Sequence, residues 1–347
     1  MKIKIDTFEI SQKSNVFIIA ELSANHNQDI EIAIETIRAA KRSGADAIKL
    51  QTYTPDTLTI DSDKSDFIIK GTIWNGKNYY SLYREAFTPW EWHEKLFQVA
   101  KEEGLICFSS PFDKTAVDFL EKLNVPAYKI ASFEITDIPL IEYVASKGKP
   151  IILSTGIANF NDIKLAVDSI KNKGNEQVIL LKCTSSYPAP IEEANLCMIK
   201  EFSEKFNVFS GLSDHTMGST VPIMSIGFGC KVIEKHFILD RSIGGPDSTF
   251  SMDEKEFKIM VDKVREAEKS IGVISYDLTE KQIKGRQFSR SLYVVKDVNR
   301  GDLVDFNNVR SIRPGFSLHP KYYPKIIGKK FKYSMIKGSR ITLDDFK

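Results

Sequence analysis

Six residues carry most of the chemistry that can be read from this sequence: His215, His236, Glu21, Glu234, Lys49 and Lys129. The chain has only five histidines (His26, His93, His215, His236 and His319). Two of them close consecutive apolar runs, as Ser213-Asp214-His215 and Glu234-Lys235-His236. Taken singly, either is ordinarily a hydrogen-bonded structural histidine. Together, with Glu21 and Glu234 as further ligands or as partners of the ligands, they make a candidate open divalent-metal site. Mixed imidazole, carboxylate and water ligands suit Mn²⁺ or a similar ion, with Mg²⁺ and Co²⁺ also admissible, and no cysteine pair argues for structural zinc. Lys49 and Lys129 sit inside apolar runs, where an ammonium without a partner is costly. One such lysine is ordinarily a snorkelling edge residue. Two of them, near Ser109, Ser110, Ser132, Ser154 and the stretch Thr184–Tyr187, suit a phosphate or carboxylate site.

The elements that must hold these groups are strands. Consecutive apolar runs occur at Val16–Leu22, Ala45–Thr52, Leu105–Ser109, Ala127–Ser132, Pro150–Thr155, Gln177–Cys183, Val208–Ser213 and Lys231–Phe237, the pattern of parallel strands covered on both faces. Helical patterns intervene. In the first, Ile30, Ala33, Ile34, Ile37 and Ala40 share a face, with Asp29 as expected N-cap and Gly44 as C′ residue. Eight alternating units favour a (β/α)₈ TIM barrel of about 250 residues, whose active site forms at the strand C-termini. All eight strand ends carry polar groups, which are expected to face one cavity. No GxGxxG follows a strand, so dinucleotide binding is disfavoured. Beyond the eighth strand, Met252–Ile271 reads as a helix and Thr279–Phe288 as a charged helical linker. Ser289–Lys347 then changes to short strands and turns, a small β-rich domain. The expected division is 1–275 for the barrel, 276–288 for the linker and 289–347 for the second domain. His93, behind Trp90-Glu-Trp92 in a predicted helix, reads as structural, and the four cysteines read as core residues, with Cys183 near the cavity.

The 347 residues agree with two domains. With 48 Lys and Arg against 46 Asp and Glu, the net charge of +2 excludes a general nucleic-acid binder. No apolar run reaches the roughly 18 residues of a membrane span. The N-terminus lacks the pattern of an export signal, and the cysteines show no disulfide framework. A cytoplasmic enzyme is expected.

Several motifs are specific. Ile18–His26 (IIAELSANH), Ile48–Thr52 (IKLQT), Tyr128–Ser132 (YKIAS), Leu153–Gly156 (LSTG), Gly211–His215 (GLSDH) and Val232–Phe237 (VIEKHF) resemble the sialic acid synthase family. The segment from Arg290-Ser-Leu-Tyr to Arg313-Pro-Gly-Phe-Ser-Leu-His-Pro resembles its antifreeze-like (SAF) domain. Within the family, Phe67–Trp74, Tyr53–Asp56 and Pro246–Ser251 resemble the pseudaminic acid branch rather than the N-acetylneuraminate branch, which carries Asp-His-x-Ala-Ser where this chain has Asp247-Ser-Thr-Phe-Ser.

The resemblance implies condensation of phosphoenolpyruvate with an open-chain acetamido sugar. In the pseudaminic branch that sugar is 2,4-diacetamido-2,4,6-trideoxy-L-altrose. The alternatives are N-acetylmannosamine or the legionaminate precursor. The resemblance further implies that His215 and His236 bind the metal, and that Lys49, Ser110, Lys129, Ser132, Ser154, Ser185 and Ser213 surround phosphoenolpyruvate. The family has Asn at position 185, so one contact is expected to differ there. Gln51, Glu134, Tyr187 and Asp247 match sugar-contacting positions, and Glu21 or Glu234 would activate the attacking water. Arg313 matches an arginine that crosses to the partner's site in a domain-swapped homodimer. Outside this family, the residues also admit a Schiff-base aldolase using Lys49 or Lys129, which borohydride trapping with pyruvate would reveal, or a non-catalytic binder whose C-terminal segment recognises ice or glycan surfaces.

Overall fold

A computed structural model describes residues 1–347. A hairpin of β1 (Ile3–Ile5) and β2 (Phe8–Ile10) precedes eight parallel strands: β3 (Phe17–Glu21), β4 (Ala47–Thr52), β5 (Ile106–Pro111), β6 (Tyr128–Ile130), β7 (Ile151–Ser154), β8 (Val178–Cys183), β9 (Phe209–Asp214) and β10 (Val232–His236). They close in chain order, with β10 pairing back to β3, so the expected TIM barrel is the observed fold. The strands are apolar on both faces because both are covered. Ile18, Ile48, Ile233 and Leu212 face the helix layer, whereas Phe17, Ile19, Ile152, Ile179 and Phe209 fill the interior.

The first helix, Ile30–Arg42, begins where Asp29 accepts a hydrogen bond from the Glu31 amide and ends before Gly44, whose φ of +86° a side chain would resist. The hairpin is a feature that the short polar-apolar alternation of Lys2–Ile10 did not bring out. Its Ile3, Ile5 and Ile10 pack with Phe17, Ala47, Ile106 and Val232 at the starts of the strands. They seal the barrel floor with apolar side chains.

The chain divides into two compact units, Met1–Gly272 and Val273–Lys347. The second contains a short helix, Glu280–Gly285, opened by a Thr279–Gln282 capping box, and the antiparallel pair β11 (Ser291–Val294) and β12 (Val309–Ile312). Its own core gathers Leu292, Val294, Val298, Val304, Val309, Ile326, Phe331, Ile341 and Phe346. No helix is long and apolar enough to cross a membrane.

Candidate active site

The C-terminal ends of the strands open into a cavity of about 560 Å³. It is lined by every first-unit residue to which the resemblance assigns a metal, phosphoenolpyruvate, sugar or water-activating role except Ser110, which sits behind Lys49 and accepts a 3.2 Å hydrogen bond from it; Ser109, Thr184 and Ser186 are not in the lining. Arg313 belongs to the second unit and directly follows β12.

Deepest lies a quartet of buried charges. Lys49 is 2.7 Å from Glu21 and 3.6 Å from Glu234; Lys129 is 3.7 Å from Glu234. Lys129 also donates to Ser154 Oγ at 2.7 Å and to the Ile130 carbonyl at 3.1 Å. Ser213 donates to Glu234 Oε1 at 3.0 Å. Two lysines and two glutamates neutralise one another, which lets four ionisable groups share an interior position. Burial pushes the Glu21 carboxyl up to about 7; Lys49 pulls it down and Glu234 adds to the rise. Glu234 moves the other way, because Lys129 and Lys49 together outweigh its burial. One carboxylate is therefore held ionised while the other is poised near neutrality.

Above this layer, Gln51 donates to Glu21 at 3.0 Å and to Ser23 at 2.9 Å, and Ser23 in turn bonds Asp247. Ser185 donates to Ser132 at 2.8 Å. Gly156 makes room for that pair: a Cβ there would overlap Ser185 Oγ and come within 2.6 Å of Ser132 Oγ. If these serines hold phosphoenolpyruvate, as the family resemblance implies, Gly156→Ala is expected to leave the fold intact but to raise the KM for it about tenfold, since a misplaced positioning group costs at least that much. Steady-state kinetics checks this, and an unchanged KM would show that the serine pair does not hold the substrate.

The rings of His215 and His236 stand 5.1 Å apart, with Tyr187 4.5 Å from His215 and Phe250 5.0 Å from His236. His215 Nδ1 lies 3.0 Å from the Thr184 carbonyl; with the proton there, Nε2 keeps its lone pair. His236 Nδ1 is buried without a hydrogen-bond partner, 3.8 Å from Asp247. Burial, followed by the nearby His215, pushes its pKa well below the ordinary range, so this imidazole is neutral, the form that binds metals. The donor set suits a divalent cation. No group of three or more His, Cys, Asp and Glu side chains is arranged to hold one. Two imidazoles alone would leave most coordination positions for water and substrate oxygens.

Glu134 sits at the rim of the polar half, one carboxylate oxygen buried and unpaired, and burial pushes its pKa from 4.5 up to about 7. A carboxyl raised in this way gives stability that is full below its unfolded pKa and lost as pH rises through the folded one. Glu134→Gln removes that loss. Relative to the parent protein, its stability at pH 8 should gain up to about 3 kcal/mol over its value at pH 4.5, taking 1.36 kcal/mol per pKa unit. Thermal melts at both pH values measure it; an equal offset at the two would place the carboxyl in water.

Two expectations need correction. Strand-end polar groups do not all face the cavity. Lys235 is buried on the opposite face of β10, 2.5 Å from Asp214 and 2.6 Å from the Thr216 carbonyl, and Lys182 donates to the Cys183 carbonyl and Thr184. Neighbouring residues on a strand point to opposite sides, so Glu234 and Lys235 cannot both enter one site. Nor are all cysteines in the core: Cys197 is exposed, whereas Cys183 lines the cavity with its sulfur 3.9 Å from His215 Nδ1. His93 is structural as expected, buried between Thr52 Oγ1 and the Pro89 carbonyl. Ser23, Gly156, Trp74 and Phe250 also shape the site and were not singled out as site residues. A glycine directly after a strand end was the available signal for Gly156.

The sequence model of the NeuB family matches residues 36–276, and that of the SAF domain matches residues 289–347. The chain is 50% identical over 343 residues, 99% of each protein, to a pseudaminic acid synthase of Campylobacter jejuni. It is 46% identical over 329 residues to a pseudaminic acid synthase of Helicobacter pylori, covering 94% of this chain and 97% of that one. A crystal structure of an N-acetylneuraminic acid synthetase from Leptospira borgpetersenii in complex with citrate has TM-score 0.74 and 29% identity over 82% of this chain and 95% of that one.

Proposed function

As the chain belongs to the NeuB family and ends in a SAF domain, we infer that it condenses phosphoenolpyruvate with 2,4-diacetamido-2,4,6-trideoxy-L-altrose and water, giving pseudaminic acid and phosphate. The observation that carries this reading is the full-length likeness to pseudaminic acid synthases, set on a cavity whose charges suit the reaction. Lys49 and Lys129, with Ser110, Ser132, Ser154, Ser185 and Ser213, would receive the phosphate and carboxylate of phosphoenolpyruvate. Gln51, Glu134, Tyr187 and Asp247 would hold the sugar with its aldehyde toward His215 and His236. A divalent cation on those two imidazoles, Mn²⁺ being the first candidate, would supply Lewis acidity to the aldehyde oxygen.

Carbon 3 of the enol then attacks the aldehyde carbon, and water adds to the electron-poor C2. Glu21, with its pKa about 7, is suited to take the proton from that water, while Glu234 stays ionised between the lysines. The proton taken from the water goes to the former aldehyde oxygen, and collapse of the tetrahedral intermediate breaks the bond from C2 to the phosphate oxygen, the C2 hydroxyl giving its proton to the departing phosphate as the ketone forms.

Residues 289–347 carry thirteen Lys and Arg against five Asp and Glu, whereas residues 1–288 carry 35 against 41. With the family resemblance, this contrast of charge supports the proposal of a homodimer, working in the cytoplasm, in which the C-terminal domain meets the barrel of a second copy. Arg313 would then contribute to the partner's sugar site. Arg313→Ala should raise the sugar KM at least tenfold while leaving the KM for phosphoenolpyruvate and the melting temperature unchanged; an unaltered sugar KM would return Arg313 to the ordinary surface.

The direct test is phosphate release from phosphoenolpyruvate with Mn²⁺, offering the altrose sugar or N-acetylmannosamine. Release with the altrose sugar alone supports pseudaminate synthesis. Release with N-acetylmannosamine alone would keep the mechanism and overturn the substrate.

A further inference from the structure

The polar half of the cavity is used by the quartet, the serines and the two histidines, but the opposite wall has a different character. Every lining residue between positions 53 and 112 is uncharged, and Leu58, Ile69, Trp74, Leu82, Tyr83 and Phe112 form most of that wall. The segment has a defined structure. A helix at Pro55–Leu58, an isolated bridge between Ile68 and Asn78, and a helix at Tyr79–Ala86 capped by Asn78 fold it over the strand ends. Trp74 pins it: its indole N–H donates to the Pro246 carbonyl at 3.1 Å, directly before Asp247, and its ring lies 5.8 Å from Tyr187. Tyr53, only 3% exposed, is part of the same lining, its ring 5.8 Å from that of Tyr83 and 5.1 Å from that of Phe112.

With the aldehyde at the histidines and phosphoenolpyruvate beneath, the end of the sugar remote from the aldehyde meets this wall. We propose that the wall formed around Leu58, Ile69 and Leu82 is a specificity element selecting acetamido sugars whose chain ends in a methyl group at C6, and disfavouring counterparts with a C6 hydroxyl. This deepens the function inferred above and rests on it. A methyl group buries apolar surface against Leu58, Ile69 and Leu82, whose side chains offer a hydroxyl no hydrogen bond in return for its water; the hydroxyls of Thr72, Tyr79 and Tyr83 lie elsewhere in the lining. Apolar pockets reject a hydroxylated isostere only moderately, by about a hundredfold, and that sets the size of the effect.

The test compares kcat/KM for 2,4-diacetamido-2,4,6-trideoxy-L-altrose with that for the same sugar bearing a C6 hydroxyl, in the parent protein and in Leu58→Gln and Leu82→Asn. Leu58 is half-buried at the cavity surface, so its variant avoids the folding risk carried by the buried Leu82. The parent should prefer the deoxy sugar about a hundredfold, and at least one variant should reduce that preference below about tenfold with the KM for phosphoenolpyruvate unchanged. Equal turnover of both sugars by the parent, or a preference that neither variant alters, overturns the wall's role while leaving pseudaminate synthesis standing. Turnover of neither diacetamido sugar overturns both.

Discussion

Phosphate release by the His236→Ala variant is expected to fall about a thousandfold, with little change in melting temperature. The side chain ends β10 at the cavity, and its Nδ1 bonds nothing in the protein, so its removal spares the fold. A Lewis acid that stabilises a developing alkoxide contributes several kcal/mol, and each 1.36 kcal/mol is a factor of ten in rate. Titration calorimetry with Mn²⁺ separates the causes: the variant should bind the ion far more weakly than the parent. Full activity of His236→Ala in the presence of a chelator would remove the metal from the mechanism.

Lys129→Met is expected to have a comparable effect from the other side of the reaction. The ammonium is 2% exposed, bonded to Ser154 and shared with Glu234. Its loss takes one positive charge from the cradle proposed for phosphoenolpyruvate and leaves the two glutamates facing Lys49 alone. Catalytic efficiency toward phosphoenolpyruvate should fall by about 10²–10³, the usual loss when one well-placed donor is removed. Stability should fall by about 3–5 kcal/mol, because a buried ion pair that loses one partner strands the other. Lys129→Arg, which keeps the charge, should restore most of the stability but not the efficiency, since the planar guanidinium cannot reproduce the same contacts. Normal phosphoenolpyruvate kinetics in both variants would disconnect Lys129 from the substrate.

How much of this was legible in the sequence follows the covering of the strands. All eight barrel strands could be placed within a few residues because unbroken apolar runs such as Phe17–Ala20 and Val178–Leu181 belong to strands buried on both faces. The same property concealed direction. When both sides of a strand are buried, its sequence does not show which residues enter the barrel: Lys235 lies in an apolar run just as Lys49 does, yet it pairs with Asp214 behind the site. Ser23 escaped notice for a related reason. Its importance lies in joining Gln51 to Asp247, residues far apart in the chain, and no local pattern announces that contact. The β1–β2 hairpin was too short for periodicity to reveal, and it is recognisable only once Ile3, Ile5 and Ile10 meet the strand starts.

That hairpin has a kinetic meaning. With the floor sealed, the way to the lysine layer passes the histidines and the roof pinned by Trp74, so on the substrate placement proposed above a sugar already seated there would stand in the way of phosphoenolpyruvate. Arrival would then be a queue in which the three-carbon acid enters ahead of the sugar, and the nine-carbon product would leave before the phosphate below it.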